Sequence, residues 1–100
     1  FGSFDAVLTP GLNGPAPAIG WYDPVDAWRN FQQQVQITPW TSFVNVAGLP
    51  AVALPTDYSP EGLPLGVQLV GRAGGDGLVM ALAKQIEQRL PDATRTPRGC

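Results

Sequence analysis

Two stretches decide how this chain folds: AGLPAVALP at residues 47–55 and EGLPLGVQLVG at residues 61–71. In each, a Gly-Leu-Pro triplet leads into a short apolar run. The first run, residues 51–54, has a proline on either side. The second, residues 65–70, carries Gln68 as its polar member. Runs this short, flanked by Pro and Gly, read as strands buried on both faces. The connection PTDYSPEGLP at residues 55–64 is broken by Pro60 and Gly62. Parallel strands need a crossover of about a dozen residues or more, so residues 50–55 and 65–71 pair as an antiparallel hairpin. The two triplets are not a repeat, because solenoid periods run to roughly 20 residues or more. The first ends a helix and the second closes the hairpin loop.

Working outward, residues 38–48 form a helix. Thr38 is read as its N-cap and Pro39 takes the first helical position. Trp40, Phe43, Val44 and Ala47 recur at i, i+3, i+4, i+7 and define one face. Gly48 ends the helix as a left-handed cap, with Pro50 just beyond. Residues 4–9 read as a strand, ended by Pro10 and Gly11. Residues 10–35 are a long loop, dense in Pro and Gly, with a short helix at residues 26–35. Ile19, Trp21 and Tyr22 make the loop too apolar for a solvated linker, so it is ordered over the core. Towards the C-terminus, Asp76 is read as the N-cap of a helix over residues 76–90. Leu78, Val79, Leu82, Ala83, Ile86 and Leu90 form its apolar face, Pro91 stops it, and residues 92–100 are surface. The element order gives an α/β fold with a mixed sheet. Three strands make a thin sheet against the ~5–6 of an average one, and doubly apolar strands ask for further strands and a second helical layer.

Composition agrees with an incomplete unit. The 100 residues are 44% apolar but 14% charged, against a usual ~25%. With a net charge of −2 and no basic run, neither nucleic acid nor an anionic membrane is an expected partner. No signal-peptide pattern or membrane-length apolar stretch occurs. The single cysteine, Cys100, cannot form an internal disulfide. A first residue other than Met and an abrupt end lead us to expect a C-terminal piece, residues 1–100, of one larger domain.

The residues offer little chemistry of their own. There is no His, so the commonest general base and metal ligand is absent. VGRAGGDG at residues 70–77 sits where a phosphate cradle would, but fails the G-x-G-x-x-G and G-K-[ST] patterns, and Asp76 would repel a phosphate. Lys84 is the one lysine and lies opposite its helix's apolar stripe, so it is solvated. Ser3, Ser42 and Ser59 have no neighbouring base in sequence and no G-x-S-x-G occurs. Asn45 either caps the turn at Gly48 or ties the helix end to the loop over residues 9–20. Gln68, inside an apolar strand, must find hydrogen-bond partners in a neighbouring strand or loop.

FDAVLTP at residues 4–10, NVAGLPAVALP at residues 45–55 and GLPLGVQLVG at residues 62–71, followed by a helix, together resemble the C-terminal end of the amidase signature family. The resemblance covers residues 4–90, and the block from 45 to 71 is its specific part. It implies a mixed central sheet sandwiched between helices, and cleavage of carboxamides through an acyl-enzyme without cofactor or metal. The family's Ser nucleophile, its second Ser in a cis peptide and its Lys lie in a Gly/Ser-rich signature N-terminal to this segment. No catalytic residue is therefore expected here. The implied contribution is scaffold and pocket wall: Thr38, Trp40 and Ser42 on the acyl side, Asn45 at the helix end, and Gly74 near the channel mouth, with Trp21 and Trp28 shaping specificity. The implied partners are a small-molecule amide and the N-terminal remainder of the same enzyme, with a homodimer as an option and the cytoplasm as compartment. Two alternatives stay open: the A-type subunit of a tRNA-dependent amidotransferase, and a non-catalytic interaction module. The short stretch after Leu90 favours a stand-alone amidase.

Overall fold

Antiparallel pairing organises the chain. In the computed structural model, which describes residues 2–90, the elements run β1 (Ala6–Pro10), α1 (Ala27–Ile37), α2 (Ser42–Ala47), β2 (Ala51–Tyr58), β3 (Pro64–Gly71) and α3 (Asp76–Arg89). Pro91 and the tail ending at Cys100 lie outside the described residues, so the helix stop and surface tail read there do too. The sheet order is β1-β3-β2, and β3 pairs antiparallel with both neighbours. A mixed sheet also needs a parallel pair. None occurs among the described residues, because β3 returns along β2 through a tight loop and also runs against β1.

The hairpin closes with Gly62 N–H donating to Ser59 O (2.8 Å) and Ser59 N–H donating to Leu63 O (2.8 Å). Gly62 follows the turn at φ +88°, the left-handed bulge position that glycine fills without strain. The strands run further into the connection than residues 50–55 and 65–71 suggest, with a register shift between Pro55 and Asp57. Pro10 is the last residue of β1 rather than its terminator. An edge strand tolerates a missing N–H, and Gly11 N–H restores the ladder by donating to Gly66 O (3.0 Å).

α3 packs across β2 and β3. Leu69, Val79 and Ala83 form its buried core, with Val52, Leu54, Leu82 and Ile86 against them. Leu78 is exposed, so the buried stripe is narrower than the six residues read from sequence. Gly75, not Asp76, occupies the N-cap; Asp76 is the first-turn acid, favoured there by the helix dipole. Along β2, exposed and half-buried residues alternate, which differs from burial on both faces. Within β3, residues 68–71 are the buried run.

α1 runs to Ile37, and Thr38 is its C-cap. That corrects Thr38 as the N-cap of the following helix. The Thr38 N–H and Oγ1–H both donate to Gln34 O (3.0 and 2.9 Å), and the proline that follows disfavours helical φ/ψ at residue 38, which sits at φ −120° and ψ 53°. α2 is consequently short, with Thr41 at its N-cap and no side-chain cap bond. Its far end is a Schellman motif: Gly48 (φ +67°) donates to Asn45 O and Leu49 to Val44 O.

Candidate functional site

A cleft of about 440 Å³ opens where the loop after β1 faces the hairpin. Gly11, Leu12 and Gly14 of that loop and Thr41 at the start of α2 line it, together with Ala53, Leu54, Pro55 and residues 64–68 of the hairpin. Glycine keeps the space open and the backbones close. A Cβ on Gly66 would lie 2.6 Å from Leu54 O, and one on Gly11 would lie 3.2 Å from Gly66 O. The lining is mostly apolar, with Thr41 and Gln68 as polar points.

Gln68 is buried at 7% exposure in the central strand, level with Thr9 on β1 and Ala53 on β2. Its Nε2 donates to Trp40 O (2.8 Å) and to Thr9 Oγ1 (3.2 Å). Thr9 Oγ1 in turn donates to Pro10 O (2.9 Å). The Gln68 side-chain amide NH2 thus finds partners in both a neighbouring strand and a loop, as burial of a carboxamide demands. The Trp40 indole Nε1–H is buried and has no acceptor among the described residues.

A second cleft, about 450 Å³, is lined by Tyr22, Asn30, Gln34 and Thr38. Its wall is a loop pinned to α1 by polar bonds. Gln33 Nε2 donates to Trp21 O (2.8 Å), Asp23 N–H donates to Gln33 Oε1 (2.7 Å), and Asn30 Nδ2 donates to Asp23 O (2.8 Å). Asp23 Oδ1 accepts from the Asp26 and Val25 amides (2.8 and 2.9 Å). Those two bonds, the Asp26 one foremost, hold the Asp23 carboxyl below its ordinary range, and Arg29 at 3.7 Å adds to them. In the hairpin loop, the Ser59 side chain and then the residue's own backbone amide lower the Glu61 carboxyl.

The structure does not gather the residues singled out from sequence into one pocket. Thr38 borders the second cleft. Trp40 holds Gln68 at the edge of the first. Ser42 and Asn45 are exposed on α2 and line neither cleft. Gly74 is an exposed turn residue at φ +79°, in a turn closed by Gly75 N–H donating to Arg72 O (2.8 Å). Lys84 is exposed. Sequence reading missed Thr41, Gly11 and Gly66 as cleft residues; the signal present was the lone glutamine in an apolar strand. Among the described residues, no group of three or more His, Cys, Asp or Glu could hold a metal ion, and no helix is long and apolar enough to cross a membrane.

Comparison with known proteins gives concordant results. A family model described as Amidase matches residues 1–80. A protein of Synechocystis sp. that carries an amidase name is 38% identical over 87 residues, which are 87% of this chain and 17% of that protein. The fatty acid amide hydrolase of Arabidopsis thaliana is 34% identical over 101 residues, covering 97% of this chain and 16% of its own length. The solved structure of a 6-aminohexanoate cyclic dimer hydrolase superposes with a TM-score of 0.86 at 31% identity, over 97% of this chain and 22% of that one. The chain therefore spans about a fifth of the length of these relatives.

Proposed function

The chain belongs to the amidase family, and on that premise we propose that it is the C-terminal part of an amide hydrolase. The whole enzyme converts a carboxamide and water into a carboxylic acid and ammonia or an amine, by way of an acyl-enzyme. In this reading the Ser nucleophile, the cis-peptide Ser and the Lys lie upstream of residue 1, within a mixed sheet sandwiched between helices. Residues 1–100 supply scaffold and pocket wall. The apolar cleft beside Gln68 receives the acyl part of the substrate. Thr38, Trp40, Ser42, Asn45 and Gly74 face the substrate channel once the remainder of the enzyme closes over them.

The observation that carries this reading is the match of nearly the whole chain, at 31% identity and a TM-score of 0.86, to a solved hydrolase. The cleft supports it: rigid strands and side-chain-free glycine positions make a shaped apolar space with few polar points, as small-molecule sites have. The test is ammonia release from a series of primary carboxamides. The full-length protein turns them over, and residues 1–100 expressed alone do not. Hydrolysis by the isolated segment at a comparable rate would overturn our placement of the chemistry.

A further inference from the structure

One side-chain amide joins three segments of this fold that are distant in sequence. Gln68 Nε2 gives one hydrogen to Trp40 O, between α1 and α2, and the other to Thr9 Oγ1, at the end of β1. The partners fix the amide's orientation. A backbone carbonyl can only accept, and Thr9 Oγ1 spends its own hydrogen on Pro10 O, so the nitrogen must face both. The sheet itself has no need of this group. A buried carboxamide is costly without partners, and an apolar residue would serve the centre of β3 as well. What the amide fixes is the mouth of the apolar cleft. Pro10 leads into Gly11 and Leu12 on one lip, and Trp40 leads into Thr41.

We infer that Gln68 is a positioning residue: its two amide hydrogens set the distance between the lips at residues 10–12 and at Thr41, and so determine which acyl chains the cleft accepts. This rests on the reading of the cleft as an acyl-binding wall. Few side chains can replace it. Met fills a similar volume without donors. Asn falls one methylene short. An ionised Glu has no hydrogen to give and sets a negative charge against Trp40 O.

The experiment uses the full-length protein and measures binding of octanamide and propionamide by titration calorimetry, separately from ammonia release. Gln68→Met weakens octanamide by about tenfold, the result of lips that hold the competent spacing about a tenth of the time, and propionamide by less than about twofold. Thr9→Val removes one of the two acceptors and gives a smaller loss with the same chain-length preference, which keeps the test open if Gln68→Met does not fold. In Gln68→Glu, the octanamide Kd rises with pH as the carboxyl ionises, while that of Gln68→Met stays flat. Equal weakening of both amides, or unchanged octanamide binding in a folded Gln68→Met, makes Gln68 a structural residue only and overturns the inference. A wild-type protein that does not bind octanamide overturns it as well. Octanamide binding without ammonia release from any amide refutes the hydrolase reading and leaves the inference standing.

Discussion

At Gly71, a single missing methyl group decides whether α3 can seat on the sheet. A Cβ there would lie 2.3 Å from Val79 Cγ2 and 3.4 Å from Pro50 Cγ. Val79 is 2% exposed and β-branched, so its methyl cannot swing aside. We expect Gly71→Ala to destabilise the full-length protein by about 1–3 kcal/mol, the range of overpacked cores, and to lower its denaturant midpoint. Val79→Ala in the same molecule should recover part of that loss, a coupling typical of residues in contact. An unchanged midpoint for Gly71→Ala, or strictly additive effects, would show that the approach is not tight. Residues differ in how openly sequence declares such roles. Gly48 is legible because a left-handed cap is local: a helical stripe stops, Gly follows, and Pro50 comes after. Gly66 and Gly71 are not, because what excludes their Cβ is Leu54 O or Val79, both more than five residues away in the chain. Gln68 is half legible: its need for partners can be read from its apolar neighbours, but which carbonyl it finds cannot.

At the scale of elements, α1 is the instructive one, because it is held by polar bonds and has no buried residue. Its N-terminus is capped by Asp26 Oδ1, which accepts from the Trp28 and Arg29 amides (3.0 and 3.1 Å). Asp23 holds the preceding turn in the same way. Because the folded structure lowers the Asp23 carboxyl below its ordinary value, the stability it lends is present above the ordinary carboxylate range. It is lost as pH falls through the lowered value, below about pH 4. Hydrogen exchange of the Val25 and Asp26 amides, the donors to Asp23, should show this. Both are protected near neutral pH and lose protection in acid, and Asp23→Ala removes the protection at neutral pH. Protection that survives Asp23→Ala would mean that the Gln33 and Asn30 bonds hold the turn without the carboxylate. The Thr-Pro pair at residues 38–39 shows why the boundary between α1 and α2 is harder to read than either helix. Thr before Pro suits the start of a helix, and a residue before Pro also suits the end of one. The structure takes the second option, since Thr38 can fold both its donors back onto Gln34 O. With the helix starting there, Ser42 lies exposed on α2 and Thr41, at its N-cap, lines the cleft.

For the whole molecule, shape and surface carry the argument. The radius of gyration is 15.6 Å and the extents are 44 × 34 × 19 Å, where a compact 100-residue domain has about 13 Å. The molecule is a slab with one helix seated on its sheet. Among the described residues the fully buried apolar side chains are few, while Trp28 (66% exposed), Phe31 (55%) and Val35 (51%) leave an apolar stripe of α1 open. The Trp28 and Phe31 rings stack on each other at 5.9 Å, which shields little of either. Low charge and doubly apolar runs already point to faces that need covering. The sequence cannot say which faces, because cover depends on partners that periodicity does not name: α1 reads only as a short helix within the long loop, and it holds no buried residue. Contiguous apolar patches on this scale are uncommon on soluble monomers. If the rest of the amidase covers them, residues 1–100 expressed alone should bind an apolar dye such as ANS and self-associate, and the full-length protein should do neither. Trp28→Lys together with Phe31→Lys should reduce both effects in the isolated segment and impair assembly of the full-length protein. Sharp, cooperative unfolding of the isolated segment as a dye-silent monomer would instead mean that the open stripe is stable in water, and that the slab is a domain in its own right.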